Sequence, residues 1–172
     1  MELWDAYSKD EELVGKTLVR GEKIPQGWYH LVCEVLVRHT DGSYLCMKRS
    51  TQKPNYGGRY EATAGGSALQ GEDKWQCVER ELLEETGLVC HEFEELGCSL
   101  EEKKQAFFHA FLGTVDCDKS SVQLQEGETE GYLWMSEKEF IEFVNSDRII
   151  PSNRRRYDKY FQRMGYVKQK GV

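Results

Sequence analysis

A chain of 172 residues, 39% hydrophobic and 31% charged with only three prolines, has the size and composition of one folded unit; a disordered chain is excluded and a second domain is not expected. The formal net charge of -7 excludes a general nucleic-acid binder, because phosphate backbones are gripped through a cationic footprint. An enzyme of this charge that acts on a phosphate compound needs bound cations at its site.

The opening MELWDAYSKDEE lacks a basic end followed by an apolar run, and no later stretch approaches the roughly 18 apolar residues that span a bilayer. The expected location is cytoplasmic, and residues 1–172 are read as one domain. Strand-like runs follow in LWDAYS, TLVRG and YHLVCEVLVRH. Asp41-Gly42 then predicts a hairpin turn into YLCMKRS, since Asp-Gly between two such runs is a strong hairpin signal.

In TQKPNYGGRYEATAGGSALQGE the glycines and a proline exclude a long helix and leave loops around one short strand, expected near Tyr60 to Ala64. Backbone can approach a ligand closely there. Asp73 to Thr86 is the strongest helix, with Glu72 and Asp73 at its positive end and Gly87 as its stop. Strands are expected around Glu92 to Ser99, in QAFFHAFLGTVD and in GYLWM. Ser136 and Glu139 predict a capping box for the next helix, and SNRRRYDKYFQRMG reads as a charged surface helix. Strands interrupted by one central helix and followed by C-terminal helices predict an α/β sandwich.

The six cysteines, Cys33, Cys46, Cys77, Cys90, Cys98 and Cys117, include no C-x-x-C pair and are read as reduced, structural thiols. His30, His39, His91 and His109 have no metal-ligand spacing and are also read as structural. The run Arg154 to Arg156 is read as a solvated face.

The chemistry concentrates in RELLEETG, Arg80 to Gly87. At about 100° per residue, Trp75, Val78 and Leu82 share one side of the helix and are expected to pack on a sheet, while Glu81, Glu84 and Glu85 share an adjacent arc. Like charges at this spacing repel. A hard divalent cation turns that repulsion into shared attraction, because Mg²⁺ is held by a few carboxylates plus substrate phosphates. Arg80, one turn from Glu84 and beside Glu81, can offset charge and orient a ligand carboxylate.

Read outward, Gly66, Glu72, Arg80-Glu81, Leu82, Glu84-Glu85, Gly87 and Leu88 resemble the Nudix box, G-x5-E-x7-R-E-U-x-E-E-x-G-U with U apolar, over residues 66–88. All nine specified positions match. The resemblance implies a Nudix-type α/β/α sandwich with a mixed sheet and a hydrolase that cleaves a diphosphate linked to another moiety with Mg²⁺ or Mn²⁺. It implies that Glu81, Glu84 and Glu85 ligate the metal with help from the Gly65 carbonyl, and that Glu72 and Arg80 brace loop to helix. Leu82 and Leu88 are read as packing residues.

The general base varies in position across that family. Glu128, shortly before the tryptophan strand, is the first candidate here; Glu126 and Glu130 are rivals, and Glu84 or Glu85 acting through water is a further one. Arg49 is a candidate phosphate contact, and Tyr60 and Phe107 are candidates for stacking on a base. The partner expected is a small diphosphate. Homodimerisation, common in the family, stays open.

Outside the box, ELWDAYSKDEELVGKTLVRGEKIPQGWYHLVCEVLV and YLCMKRS with GGRYEATAGGS resemble the Nudix subgroup that includes isopentenyl diphosphate isomerase. Those isomerases use a cysteine on the strand before the box and a histidine-rich metal site. Here Ala64 stands where the cysteine would lie and Ser67 near the metal-binding histidine, so the isomerase alternative lacks its residues. A non-catalytic nucleotide-binding regulator on the same fold is the other alternative; such proteins often lose the metal glutamates, which are all present here.

Overall fold

The computed structural model describes residues 1–168. Its centre is a parallel pair of ten-residue strands, β3 (His30–His39) and β8 (Ala106–Val115), in register from His30↔Ala106 to His39↔Val115. Both strands are buried along most of their length. That burial requires a layer on each face, and alternate residues supply the two layers. Cys33, Val35, Val37 and Phe111 point into one core, whereas Leu36, Ala110 and Leu112 point into the other.

The rest of the seven-stranded mixed sheet is antiparallel. Its main path adds β4 (Tyr44–Arg49) and β5 (Tyr60–Glu61) on one side of β3 and β7 (Phe93–Glu101) beyond β8; β6 (Thr63–Ser67) pairs with β3 and β9 (Thr129–Met135) with β4. The strand expected at Tyr60 to Ala64 is therefore two, broken at Ala62 so that one piece follows β4 and the other β3. The Asp41-Gly42 turn forms as expected. Gly42 has φ 92°, a left-handed conformation that favours glycine, and Asp41 Oδ1 accepts from the Ser43 N–H at 2.9 Å.

On the first face lies α1 (Lys74–Thr86). Asp73 caps it, accepting from the N–H groups of Trp75 and Gln76, and the Gln76 side chain completes the capping box. Gly87, at φ 70°, ends it with an N–H donated to the Leu83 carbonyl. Val78 and Leu82 are fully buried and Leu88 nearly so. Trp75 departs from the expected packing face: it is 44% exposed, with its ring edge-on to Phe111 at 5.1 Å.

The second face is covered by α2 (Glu137–Val144), α3 (Pro151–Arg156) and α4 (Asp158–Arg163). The Ser136 and Glu139 capping box starts α2. The C-terminal segment corrects the sequence reading, being two short helices with a buried side. Tyr157 and Phe161 are each 1% exposed, and the Tyr44 hydroxyl meets those of Tyr160 and Tyr166 at 2.7 and 2.9 Å. Aromatic residues at 157, 160 and 161 follow helical spacing, and their area outweighs the charge of the run.

A separate hairpin, β1 (Leu3–Tyr7) with β2 (Leu13–Val19), has its own small core of Trp4, Ala6 and Leu18. A bridge between Tyr7 and Tyr29 and a 2.7 Å hydrogen bond from the Gly71 N–H to Asp5 Oδ2 hold it against the main body. Among the described residues no helix is long and apolar enough to cross a membrane.

Candidate active site

The Glu34↔Gly65 and Cys33↔Gly66 pairings of β3 with β6 set two glycines directly beside α1. A Cβ at Gly65 would run into the Cys33 carbonyl oxygen, and one at Gly66 would lie 2.5 Å from Glu81 Oε1. Only glycine lets the strand approach both β3 and the helix so closely.

Arg80 ties loop to helix. Its Nε and Nη2 donate to the two carboxylate oxygens of Glu72 at 2.7 and 2.9 Å, Nη2 also donates to the Ser67 carbonyl at 3.0 Å, and Nη1 donates to Glu81 Oε1 at 2.7 Å and Glu84 Oε2 at 3.1 Å. Glu72 also accepts from the Leu69 N–H at 2.8 Å. Burial alone would raise the Glu72 carboxyl, but Arg80 and the Leu69 N–H outweigh it and hold it below its usual value. In turn the Glu72 hydrogen bonds and the Glu81 contact fix Arg80 as a cation.

The glutamate arc faces a cavity of about 520 Å³ lined by α1, β3, β6, the β4–β5 region and the loop before β9. Glu85 accepts from the Gly65 N–H at 3.2 Å. Burial, with Glu61 and Glu81 close by, pushes its carboxyl well above the ordinary glutamate value. Burial raises Glu81 as well, against the opposing pull of Arg80. Glu84 is exposed at the rim.

Several site residues expected from sequence come together in this cavity: Gly65, Glu81, Glu84, Glu85, Arg80, Arg49 and Glu128 all line it. Arg49 is paired there with Glu61, and Glu128 with Lys53. Glu72 stands behind Arg80. Two expectations are corrected. Phe107 is a core residue, 6% exposed and packed on Tyr29 at 5.5 Å, because β8 is covered on both faces. Tyr60 packs at the edge of the second core. Neither lines the cavity. Of the rival bases, Glu130 lies outside it and pairs with Lys48 at 2.9 Å, and Glu126 is exposed on the loop.

Sequence reasoning missed Glu2, Trp4, Arg20, Glu34, Lys53 and Glu61, which also line the cavity. Most arrive from the N-terminal hairpin or the β4–β5 loop, and no local spacing announces them. Glu34 did carry a signal, as a lone carboxylate inside the apolar run HLVCEVLVRH, since a charge in a buried strand requires a partner. That partner is Arg156, whose side chain is 4% exposed. The arginine run is thus not merely a solvated face. Glu34 Oε2 remains buried with no hydrogen-bond partner among the described residues.

The residues fit a divalent cation. Seven glutamates line the cavity against four cationic side chains, Arg20, Arg49, Lys53 and Arg80. Crowding among Glu61, Glu81 and Glu85 is what a hard metal would relieve, and an all-oxygen donor set suits Mg²⁺ or Mn²⁺.

Comparison with known proteins agrees with this geometry. The NUDIX domain model matches residues 28–160. An uncharacterized Nudix hydrolase of Listeria monocytogenes is 32% identical over 88% of this chain and 89% of its own, and one of Listeria innocua is 30% identical over the same shares. In fold, the chain is similar to a Deinococcus radiodurans crystal structure with TM-score 0.71 at 14% identity, covering 92% of this chain and 98% of that one. The NUDIX domain of Shewanella oneidensis NrtR, solved in complex with ADP ribose, gives TM-score 0.62 at 14% identity, covering 88% and 96%.

Proposed function

The chain belongs to the Nudix hydrolase family, and from that premise we propose that it is a metal-dependent pyrophosphohydrolase cleaving the diphosphate of a nucleoside diphosphate derivative. The observation that carries this reading is the meeting, in one cavity, of the Glu81, Glu84 and Glu85 arc with Arg20, Arg49, Lys53 and Arg80. Carboxylates suit the metal, and the cations Arg20, Arg49 and Lys53 in the same cavity suit phosphate oxygens.

In this reading Glu81, Glu84, Glu85 and the Gly65 carbonyl hold Mg²⁺ or Mn²⁺, which when bound supplies charge neutralisation at phosphate and a lower pKa for the attacking water. Arg80, clamped by Glu72, orients Glu81 and Glu84. Glu128 takes the proton from water. Its present pairing with Lys53 gives that step a partner exchange: a phosphate that draws Lys53 away frees the Glu128 carboxylate to act as base. Arg49 makes a similar exchange from Glu61. Trp4 lines the cavity with its ring stacked on His30, centroids 4.3 Å apart, and so shapes the wall without offering a free face for stacking.

The family resemblance of the N-terminal region also brings prenyl diphosphates into consideration as substrates. Isomerase chemistry is not proposed, because Ala64 is a buried methyl side chain in β6 with no proton to exchange.

The test is product analysis by mass spectrometry on a panel of ADP ribose, nucleoside triphosphates, sugar nucleotides, dinucleotides and prenyl diphosphates, each with Mg²⁺, with Mn²⁺ or with chelator. Metal-dependent cleavage of a nucleoside diphosphate derivative is expected. Cleavage confined to prenyl diphosphates would refute the substrate class, and binding without turnover across the panel would refute the hydrolase assignment.

A further inference from the structure

Outside that cavity, Cys98, His109 and Glu11 converge from three segments that no sequence spacing connects. Cys98 on β7 and His109 on β8 are cross-strand partners, and Glu11 lies in the loop between β1 and β2. One ligand atom from each lies within 4.8 Å of the other two. His109 Nε2 is 2.6 Å from Glu11 Oε1 and 3.5 Å from Cys98 Sγ. His109 is 2% exposed, while Glu11 and Cys98 are open to solvent, so the cluster has an entry path.

The second ring nitrogen is fixed from behind. His109 Nδ1 donates to Glu95 Oε1 at 2.7 Å, and Glu95 Oε2 accepts from Lys74 Nζ at 2.6 Å. A carboxylate on one ring nitrogen fixes the orientation of the imidazole, as is common for metal-ligating histidines. The other nitrogen faces a carboxylate oxygen and a sulfur. Groups this close share a positive species, either a proton or a metal ion, and a sulfur beside a nitrogen and an oxygen suits a borderline-soft cation.

We propose that Glu11, Cys98 and His109 form a Zn²⁺ site, with water as fourth ligand. Zinc bond lengths of about 2.0 to 2.3 Å place tetrahedral ligand atoms roughly 3.3–3.8 Å apart. The Cys98 to His109 separation already falls in that range, and exposed Glu11 has only to withdraw by about 1 Å. Cys98 binds as the thiolate, its proton leaving to solvent. The ion clasps the β1–β2 loop to the β7–β8 edge. Because this hairpin and the residues just beside it bring Glu2, Trp4 and Arg20 to the catalytic cavity, the clasp positions one wall of the site without touching substrate.

The test uses Co²⁺ as the spectroscopic probe on the metal-free full chain. Wild type is expected to show a thiolate-to-cobalt charge-transfer band with tetrahedral d–d absorption, both abolished by added Zn²⁺. Cys98→Ser should lose the charge-transfer band, and Glu11→Gln, a change at an exposed loop, should lower Co²⁺ affinity by at least about tenfold. Cys117→Ser, at the half-exposed thiol, and Glu85→Gln, in the catalytic cavity, should keep the band, which separates this site from the one proposed above. Absence of the band in wild type, or its persistence in Cys98→Ser, would overturn the proposal and leave His109 held between Glu11 and Glu95 alone.

Discussion

Arg80 grips Glu72 with two hydrogen bonds, Nε to Oε1 at 2.7 Å and Nη2 to Oε2 at 2.9 Å, and so joins the loop after β6 to the middle of α1. The planar fork is what allows Nη1 to reach Glu81 and Glu84 at the same time. Lysine keeps the charge and loses the fork. Arg80→Lys is therefore expected to weaken metal activation about 10–100-fold, the usual range for a residue that orients a ligand, while the fold persists. A titration of turnover against Mg²⁺ concentration checks this; an unchanged midpoint would show that Arg80 serves the fold alone.

Gly65 and Gly66 should fail differently when changed to alanine. At Gly65 the added methyl meets the β3 backbone at Cys33, which cannot move without breaking the β3–β6 pairing, so stability should fall by roughly 1–3 kcal/mol, the cost of overpacking. At Gly66 the obstacle is the end of the Glu81 side chain, which can swing aside, so metal affinity should fall more than stability. Urea unfolding and metal titration of both variants separate the two effects. Equal losses of stability would contradict the assignment.

The box, the helix around it and the positions of most strands along the chain were legible because each depends on residues near one another in sequence: an arc of glutamates, a cap, a glycine stop, an Asp-Gly turn. The opposite wall of the cavity was not legible. Glu2, Arg20 and Lys53 reach it through tertiary folding, and each looks like an ordinary surface charge in its own segment. Phe107 was misplaced because an apolar residue on a strand does not reveal whether its face meets solvent or a second layer. His109 shows the same limit, since its partners lie 11, 14 and 98 residues away, at Cys98, Glu95 and Glu11.

Arg156 reaches Glu34 and Glu101 from α3, with its guanidinium 3.5 Å from the Phe108 ring centroid. Removing one member of a buried ion pair leaves the other uncompensated, at a cost of roughly 3–5 kcal/mol. Arg156→Ala should lose stability on that scale in urea unfolding. A loss below about 1 kcal/mol, the range of an exposed pair, would mean that solvent reaches Glu34 and Glu101.

Acid stability should report the same cluster. Burial alone would raise the Glu101 carboxyl, but the hydrogen bonds and charge of Arg156, followed by Arg155 and Lys104, outweigh it and hold it at about 2, below the ordinary 4.5. A lowered carboxylate pKa stabilises the fold fully above the unfolded value and loses that contribution as pH falls from about 4.5 through about 2. Glu101→Gln should be less stable than wild type at neutral pH and should lose less stability over that acid window. Parallel unfolding curves for the two proteins would place the acid sensitivity elsewhere.

The central claim is that the Glu81, Glu84 and Glu85 arc holds the divalent ion on which hydrolysis depends. Its most direct test is Mn²⁺ binding followed by electron paramagnetic resonance, with turnover of the best substrate measured in parallel, for wild type and Glu85→Gln. The variant is expected to stay folded, to bind Mn²⁺ more weakly and to lose turnover by several powers of ten, because the amide removes one charged ligand from the arc that would hold the ion. A folded Glu85→Gln that binds Mn²⁺ and turns over like wild type would remove Glu85 from the metal site and contradict the account.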